Sequence, residues 1–227
     1  MHKWFAATVA ETAPGRSTLL QLALNVPHEL ASTFQTPGQY HRVRIDHDEN
    51  PFAIASPPGQ ARFEYLVKRS PGLAARWASL EPGAQVMVSL PHGPGFPLAR
   101  ARGRALVLVA TGAGFAPVRS VIEVIAHDRA AYGPVHALVG LRSQKDLAWE
   151  ADLARWAACG IVVEHVVSSP DGHWSGRVGR VQEHLDILHL GDTVVFLCGQ
   201  HEMIVDLRAA FGRRGMSKDR VFLNLPT

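Results

Sequence analysis

Residues 106–117 read Leu-Val-Leu-Val-Ala-Thr-Gly-Ala-Gly-Phe-Ala-Pro, and this stretch constrains the fold more than any other. An apolar, partly β-branched run breaks into two glycines and a proline, and an amphipathic segment, Val118 to His127, follows. The pattern predicts a buried strand, a tight turn and a helix start. Backbone N–H groups at such a start sit at the positive end of a helix dipole and suit a phosphate or pyrophosphate. Gly112 and Gly114 let the backbone approach that group, and Pro117 fits a first helical turn, where its missing N–H costs nothing. Read on the turn alone, a nucleotide site and a plain strand-to-helix connection stand level.

The rest of the chain divides near residue 100. Before it, strands are expected at Phe5–Val9, Leu19–Leu24, Tyr40–Ile45, Phe63–Lys68 and Val86–Leu90, with a single helix at Leu73–Leu80. Pro-Gly turns separate them, at Pro14-Gly15, Pro37-Gly38, Pro71-Gly72 and Pro82-Gly83 among others. Short strands with such turns predict an antiparallel β-barrel or sandwich over residues 1–100. After it, strands at Ala105–Ala110, Val135–Leu141, Ile161–Val167, Val194–Cys198 and Val221–Leu223 alternate with helices. Those helices are expected at Val118–His127, Leu147–Ala158, Val178–Leu185 and Met203–Gly212. Residues 101–227 are therefore expected to form an α/β, Rossmann-like parallel-sheet domain. Ligands of such sheets sit beyond the carboxyl ends of the strands, where Thr111, Arg142, Ser168 and Cys198 fall.

Composition excludes several classes. The net charge is only +3 and the basic residues are scattered, which gives no nucleic-acid footprint. No apolar run approaches membrane-spanning length. The two cysteines, Cys159 and Cys198, form no multi-bridge framework, so a reducing cytoplasm is the expected compartment. The 12 histidines occur singly or in loose pairs such as His41/His47 and His184/His189, with no ligand spacing, and no metal site is expected. Asp46, Asp48 and Glu49 read as a solvated turn. Cys198 lacks a Cys-His-Asp set and is expected to be a packing thiol, not a nucleophile. Trp174 reads equally as a ligand cover or as an anchor for its own loop.

Taken in order, the motifs resemble those of the ferredoxin–NADP reductase superfamily. Ala110 to Pro117 is similar to its A-T-G-T-G-I-A-P turn, and Cys198-Gly199 with Met203 to its C-G-x-x-x-M turn. Pro37 to Tyr40, His92 to Phe96, Gly140 to Arg142 and Asp171 to Gly179 match further family segments, so the resemblance spans nearly the whole chain. It implies an FAD-binding barrel followed by an NAD(P)-binding domain, with hydride passing from nicotinamide to flavin and electrons passing on to an acceptor protein or domain. By position, Thr111, Gly112, Ala113 and Gly114 would hold the pyrophosphate of the nicotinamide dinucleotide, with Pro117 a further cofactor-binding candidate beside them. Cys198, Gly199 and Met203 would lie by the nicotinamide, and Arg142 and Ser168 by the adenosine half.

The sequence departs from the family at the flavin. The R-x-Y-S signature becomes Asn50, Phe52 and Ala53, followed by Ile54, and G-x-x-S becomes Gly72, Leu73, Ala74 and Ala75. Phe52 can still pack on a ring. Losing one Arg–phosphate bond and the neutral hydrogen bonds removes roughly 3–6 kcal/mol, or about two to four decades of affinity. FAD is therefore expected to be held loosely or not at all. Ser168-Ser169 stands where NADP-preferring members carry Ser-Arg, which favours NAD. The competing reading is a non-flavin, non-enzymatic nucleotide-binding or partner-docking module on the same fold.

Overall fold

The computed structural model describes residues 3–12, 17–188 and 191–224, without the side chains of Leu73 and Ala78. The Pro14-Gly15 turn, His189 and Leu225 to Thr227 lie outside these residues. Two six-stranded sheets share the chain. The first has the order β4-β3-β6-β1-β2-β5 and is antiparallel throughout. Its strands are β1 (Trp4–Thr12), β2 (Leu19–Asn25), β3 (Tyr40–Ile45), β4 (Asp48–Ala53), β5 (Arg62–Lys68) and β6 (Gln85–Ser89). The sheet curls into a nearly closed barrel, joined where Ala55 N–H donates to Glu64 O (2.7 Å) just beyond β4. Inside lie Leu24, Val43, Ile54, Phe63, Tyr65, Trp77 and Val88, all fully buried. Two short helices, α1 (His28–Ala31) and α2 (Leu73–Ala78), flank it.

The second sheet is parallel, in the order β10-β9-β8-β7-β11-β12. It comprises β7 (Ala105–Thr111), β8 (Val135–Leu141), β9 (Ile161–Val167), β10 (Arg177–Val178), β11 (Thr193–Cys198) and β12 (Val221–Leu223). The chain moves outward from β7 through β8 to β9 and then returns to β11 on the other side. The strand order thus reverses between β7 and β11, and that is where open α/β sheets bind ligands. Helices α3 (Phe115–His127) and α4 (Leu153–Ala158) cover one face, and α5 (His201–Arg213) covers the other.

Several boundaries differ from the sequence expectation, each for a local reason. Asp48 and Glu49 begin β4 instead of lying in a turn. Asp46, at φ +54°, makes the turn, and Asp46 and Asp48 both accept from Arg76. Helix α1, not expected, follows Pro27 directly. Helix α3 starts at Phe115 because the glycine turn is itself a 3-10 turn running straight into it. The expected helix from Leu147 begins only at Leu153, since Trp149 takes a left-handed conformation (φ +55°) that no helix continues through. Val178 pairs as a strand with Val167, and the segment after it, Val181–Ile187, is 3-10 with a kink at His184.

The two sheets are bolted together. Arg119 on α3 is 6% exposed and donates to Ala55 O (3.2 Å) and Glu64 on the barrel and to Asp152 (3.2 Å) on its own side. Its guanidinium lies 4.5 Å from the Trp149 ring centroid. Ser120 Oγ donates to Ser56 O (2.7 Å). Asp146 accepts from Ser17 Oγ (2.9 Å) and from Thr18 N and Oγ1 (both 2.8 Å). Burial alone would raise the Asp146 pKa, but the Thr18 and Ser17 hydrogen bonds hold it below the usual carboxylate value.

Candidate functional site: the cleft between the sheets

A cleft of about 1280 Å³ opens where the barrel meets the carboxyl ends of the parallel strands. On the sheet side, the turns after β7 and β11 interlock. A Cβ on Gly114 would stand 2.4 Å from Cys198 O, and one on Gly199 (φ +154°) would stand 2.1 Å from Thr111 Oγ1. Thr111 Oγ1 accepts from Gln200 N–H (3.1 Å), which seals the contact. Gly112 differs: it adopts φ +55°, yet a Cβ there would meet nothing within 4 Å. It supplies a bend and leaves room for a ligand in front of α3.

Most of the sequence-predicted site residues come together here. Thr111, Gly112, Ala113, Gly114, Pro117, Arg142, Ser168, Cys198, Gly199 and Met203 line the sheet wall, and Asn50, Phe52, Ala53 and Ala74 line the barrel wall. Three do not. Ile54 is turned into the barrel core, where it is fully buried, and its N–H is bonded to Gln39 O (3.1 Å). Gly72 and Ala75 are exposed at the start of α2 and do not face the cleft. The Leu73 side chain lies outside the described residues. Phe52 stands edge-on against Trp77, with ring centroids 4.1 Å apart, so its ring is held at the rim. Burial pushes the Cys198 thiol up to about 12, so it stays a neutral packing group. Trp174 is the anchor of its own loop: Nε1 donates to Arg177 O (2.9 Å), and it lines a separate hollow with Glu164 and His165.

Sequence reasoning missed the charge of the cleft. Lys68, Arg69 and Arg180 join Arg142 in its lining, and none has an ion-pair partner among the described residues. By contrast, Arg42, Arg62, Arg76, Arg102, Arg104, Arg119, Arg155 and Arg177 are all committed to carboxylates. Of the carboxylates, Asp146 is taken up by Ser17 and Thr18, and Glu202 sits in the first turn of α5. Unpaired cations around a cleft of this size fit a phosphate-bearing ligand. The signal was present in the sequence, since each cation lies at or within two residues of a strand end. Which ones lack a partner was not. Among the described residues no group of His, Cys, Asp and Glu is placed to hold a metal ion.

A curled antiparallel barrel beside a parallel sheet with this switch-point cleft defines a two-domain, dinucleotide-binding oxidoreductase fold. Residues 108–209 match the family described as Oxidoreductase NAD-binding domain. The chain is 32% identical over 189 residues to the ferredoxin–NADP reductase B of Sorangium cellulosum, covering 75% of each protein. It is 29% identical over 198 residues to sulfhydrogenase 1 subunit gamma of Pyrococcus furiosus, covering 83% of this chain and 67% of that one. A solved ferredoxin–NADP reductase from Neisseria gonorrhoeae, with bound FAD and NADP, superposes with a TM-score of 0.84 at 19% identity, covering 98% of each chain. The chain belongs to the ferredoxin–NADP reductase superfamily.

Proposed function

We propose that this protein is an NAD(P)H-dependent flavin-linked reductase that passes electrons to a partner protein or subunit. In this reading residues 1–100 are the flavin unit and residues 101–227 the nicotinamide unit. The observation that carries it is the meeting of the two interlocked glycine turns and the Phe52 wall across one cation-lined cleft. Bound together there, a nicotinamide would supply a hydride and a flavin would relay its electrons. The chain's own work is placement. The Thr111–Gly114 turn offers open space and backbone N–H groups to a pyrophosphate, Cys198 and Gly199 give the nicotinamide a neutral surface, and Phe52 gives a ring a flat partner.

The acceptor is proposed to be another chain, since similar proteins include one that is a subunit. The preference for NAD read from Ser168-Ser169 is weighed against a second feature of the cleft. Gly179 N–H donates to Val167 O (3.1 Å) and Ser169 N–H to Arg142 O (2.8 Å), which sets Arg180, Ser168 and Arg142 on adjoining segments. Two unpaired guanidiniums there suit a 2′-phosphate, so the site is proposed to take NADPH. Calorimetric titration of the purified chain with NADPH, NADH and FAD, followed by NADPH-dependent reduction of an artificial acceptor, tests the reading. A chain that binds NADPH but never FAD would instead be a nucleotide-binding module, and the reductase reading would fall.

No helix among the described residues is long and apolar enough to cross a membrane.

A further inference from the structure

We propose that Lys68 and Arg69, at the exit of β5, hold the phosphates of the barrel-side dinucleotide, replacing an arginine at position 50. This rests on the reading of the barrel wall as a flavin-nucleotide site and names the residues that make that site workable. Asn50, Phe52 and Ala53 line the wall with no charge at all. The nearby cations cannot supply it: Arg42 is paired with Glu49, and Arg76 on α2 with Asp46 and Asp48. Helix α2 has only six residues, and its Gly72 start offers no side-chain cap. What remains is the neighbouring strand end. Leu66 to Ser70 runs along the same cleft wall as Asn50 to Ala53, and both cations are exposed and without a carboxylate partner among the described residues.

Their backbone is fixed and their side chains are exposed. Lys68 is the last residue of the β5 ladder, paired with Leu19 on β2, and Arg69 N–H donates to Thr18 O (2.8 Å). Asp146, a carboxylate of the same cleft, is bonded to Ser17 and Thr18, and neither cation is ion-paired among the described residues. Two adjacent, anchored and uncompensated cations can meet a pyrophosphate that carries two negative charges. The positive charge of the wall has moved from one strand to the next.

The test is FAD binding by calorimetry to the full chain and to Lys68→Gln/Arg69→Gln, at several salt concentrations. Both side chains are exposed, so the fold should not change. The double variant is expected to weaken FAD about 30-fold or more and to flatten the dependence of affinity on salt. Lys145→Gln, an exposed cation outside the cleft, should change neither. Adding Asn50→Arg to the double variant should restore most of the lost affinity. FAD affinity and salt dependence unchanged in the double variant would overturn the proposal while leaving the flavin reading in place. A wild-type chain that takes up no FAD at any salt concentration would overturn both, and the two failures are told apart by the wild-type titration alone.

Discussion

The two walls of the cleft are built on different principles. The sheet wall is backbone: Gly114 against the Cys198 carbonyl, Gly199 against Thr111, and Gly112 bent open toward the ligand space. A larger residue at Gly114 or Gly199 would collide with its neighbour. The barrel wall is side chain: Asn50, Phe52, Lys68 and Arg69 project from strands whose backbone would be the same with other residues. A wall made of backbone tolerates few sequences. A wall made of side chains can keep its chemistry while exchanging the positions that supply it, and this is why the flavin signature reads as lost where the cleft still carries charge.

Of the contacts that join the two walls, Arg119 makes the most charged ones, and its removal should have the largest effect. Arg119→Met leaves Glu64 without its cation at the joint, while Asp152 and Glu123 keep Arg155. The expected loss is about 3–5 kcal/mol of stability, read as a lowered urea midpoint. Adding Glu64→Gln should recover part of it, because the stranded charge is then gone. A single variant as stable as the parent would mean that the barrel and the sheet do not depend on this joint.

Next in size is the contrast between two glycines three-dimensionally close but built into different jobs. Gly114→Ala puts a methyl 2.4 Å from Cys198 O and must push the two turns apart. It should cost about 1–3 kcal/mol and weaken NADPH by at least about 10-fold. Gly112→Ala meets no atom within 4 Å and carries only the left-handed backbone penalty, about 1–2 kcal/mol. If both variants lose NADPH equally, the interlock of the turns is not what shapes the sheet wall.

This division also explains what the sequence made legible. The parallel sheet was readable because its strands are continuous apolar runs and its turns carry obligatory glycines. The strands β7, β8, β9 and β11 and the convergence of Thr111, Arg142, Ser168 and Cys198 followed from that. The barrel strands were readable from their Pro-Gly turns, except β4, whose Asp-Glu-Asn-Pro start has no strand signature and gains its place only by pairing with β3. Trp149 hid the true start of α4, because nothing local announces a left-handed tryptophan. It is held there by Arg119 from another helix. The cation pair at Lys68 and Arg69 was invisible for the same reason: being unpaired is a property of the neighbours, not of the residue.

The barrel interior offers a smaller, pH-dependent way to separate the two halves. His41 lies fully buried inside the barrel, bonded through Nδ1 to Tyr65 Oη at 2.9 Å. Burial, with the nearby His92 adding to it, pushes its pKa from the usual 6.5 down to about 3. His165 on β9, lowered by burial to about 4, is its counterpart in the sheet. A folded pKa below the unfolded one means that the unfolded chain binds more protons in between. Each histidine therefore contributes its stability fully above about pH 6.5 and loses it as pH falls toward the folded value. The slope is about 1.4 kcal/mol per pH unit for each, so the barrel should lose about 2 kcal/mol between pH 6.5 and 5 through His41. The depressed carboxylates Asp146 and Asp152 act at lower pH, below their usual value near 3.8, and leave this window to the histidines. Urea midpoints measured across pH 5–8 for the parent and for His41→Phe should differ in slope by one proton below pH 6.5. The His165→Phe chain should show the same change. Equal slopes in the parent and His41→Phe would mean that the barrel interior admits a proton, and that burial does not hold His41 neutral there.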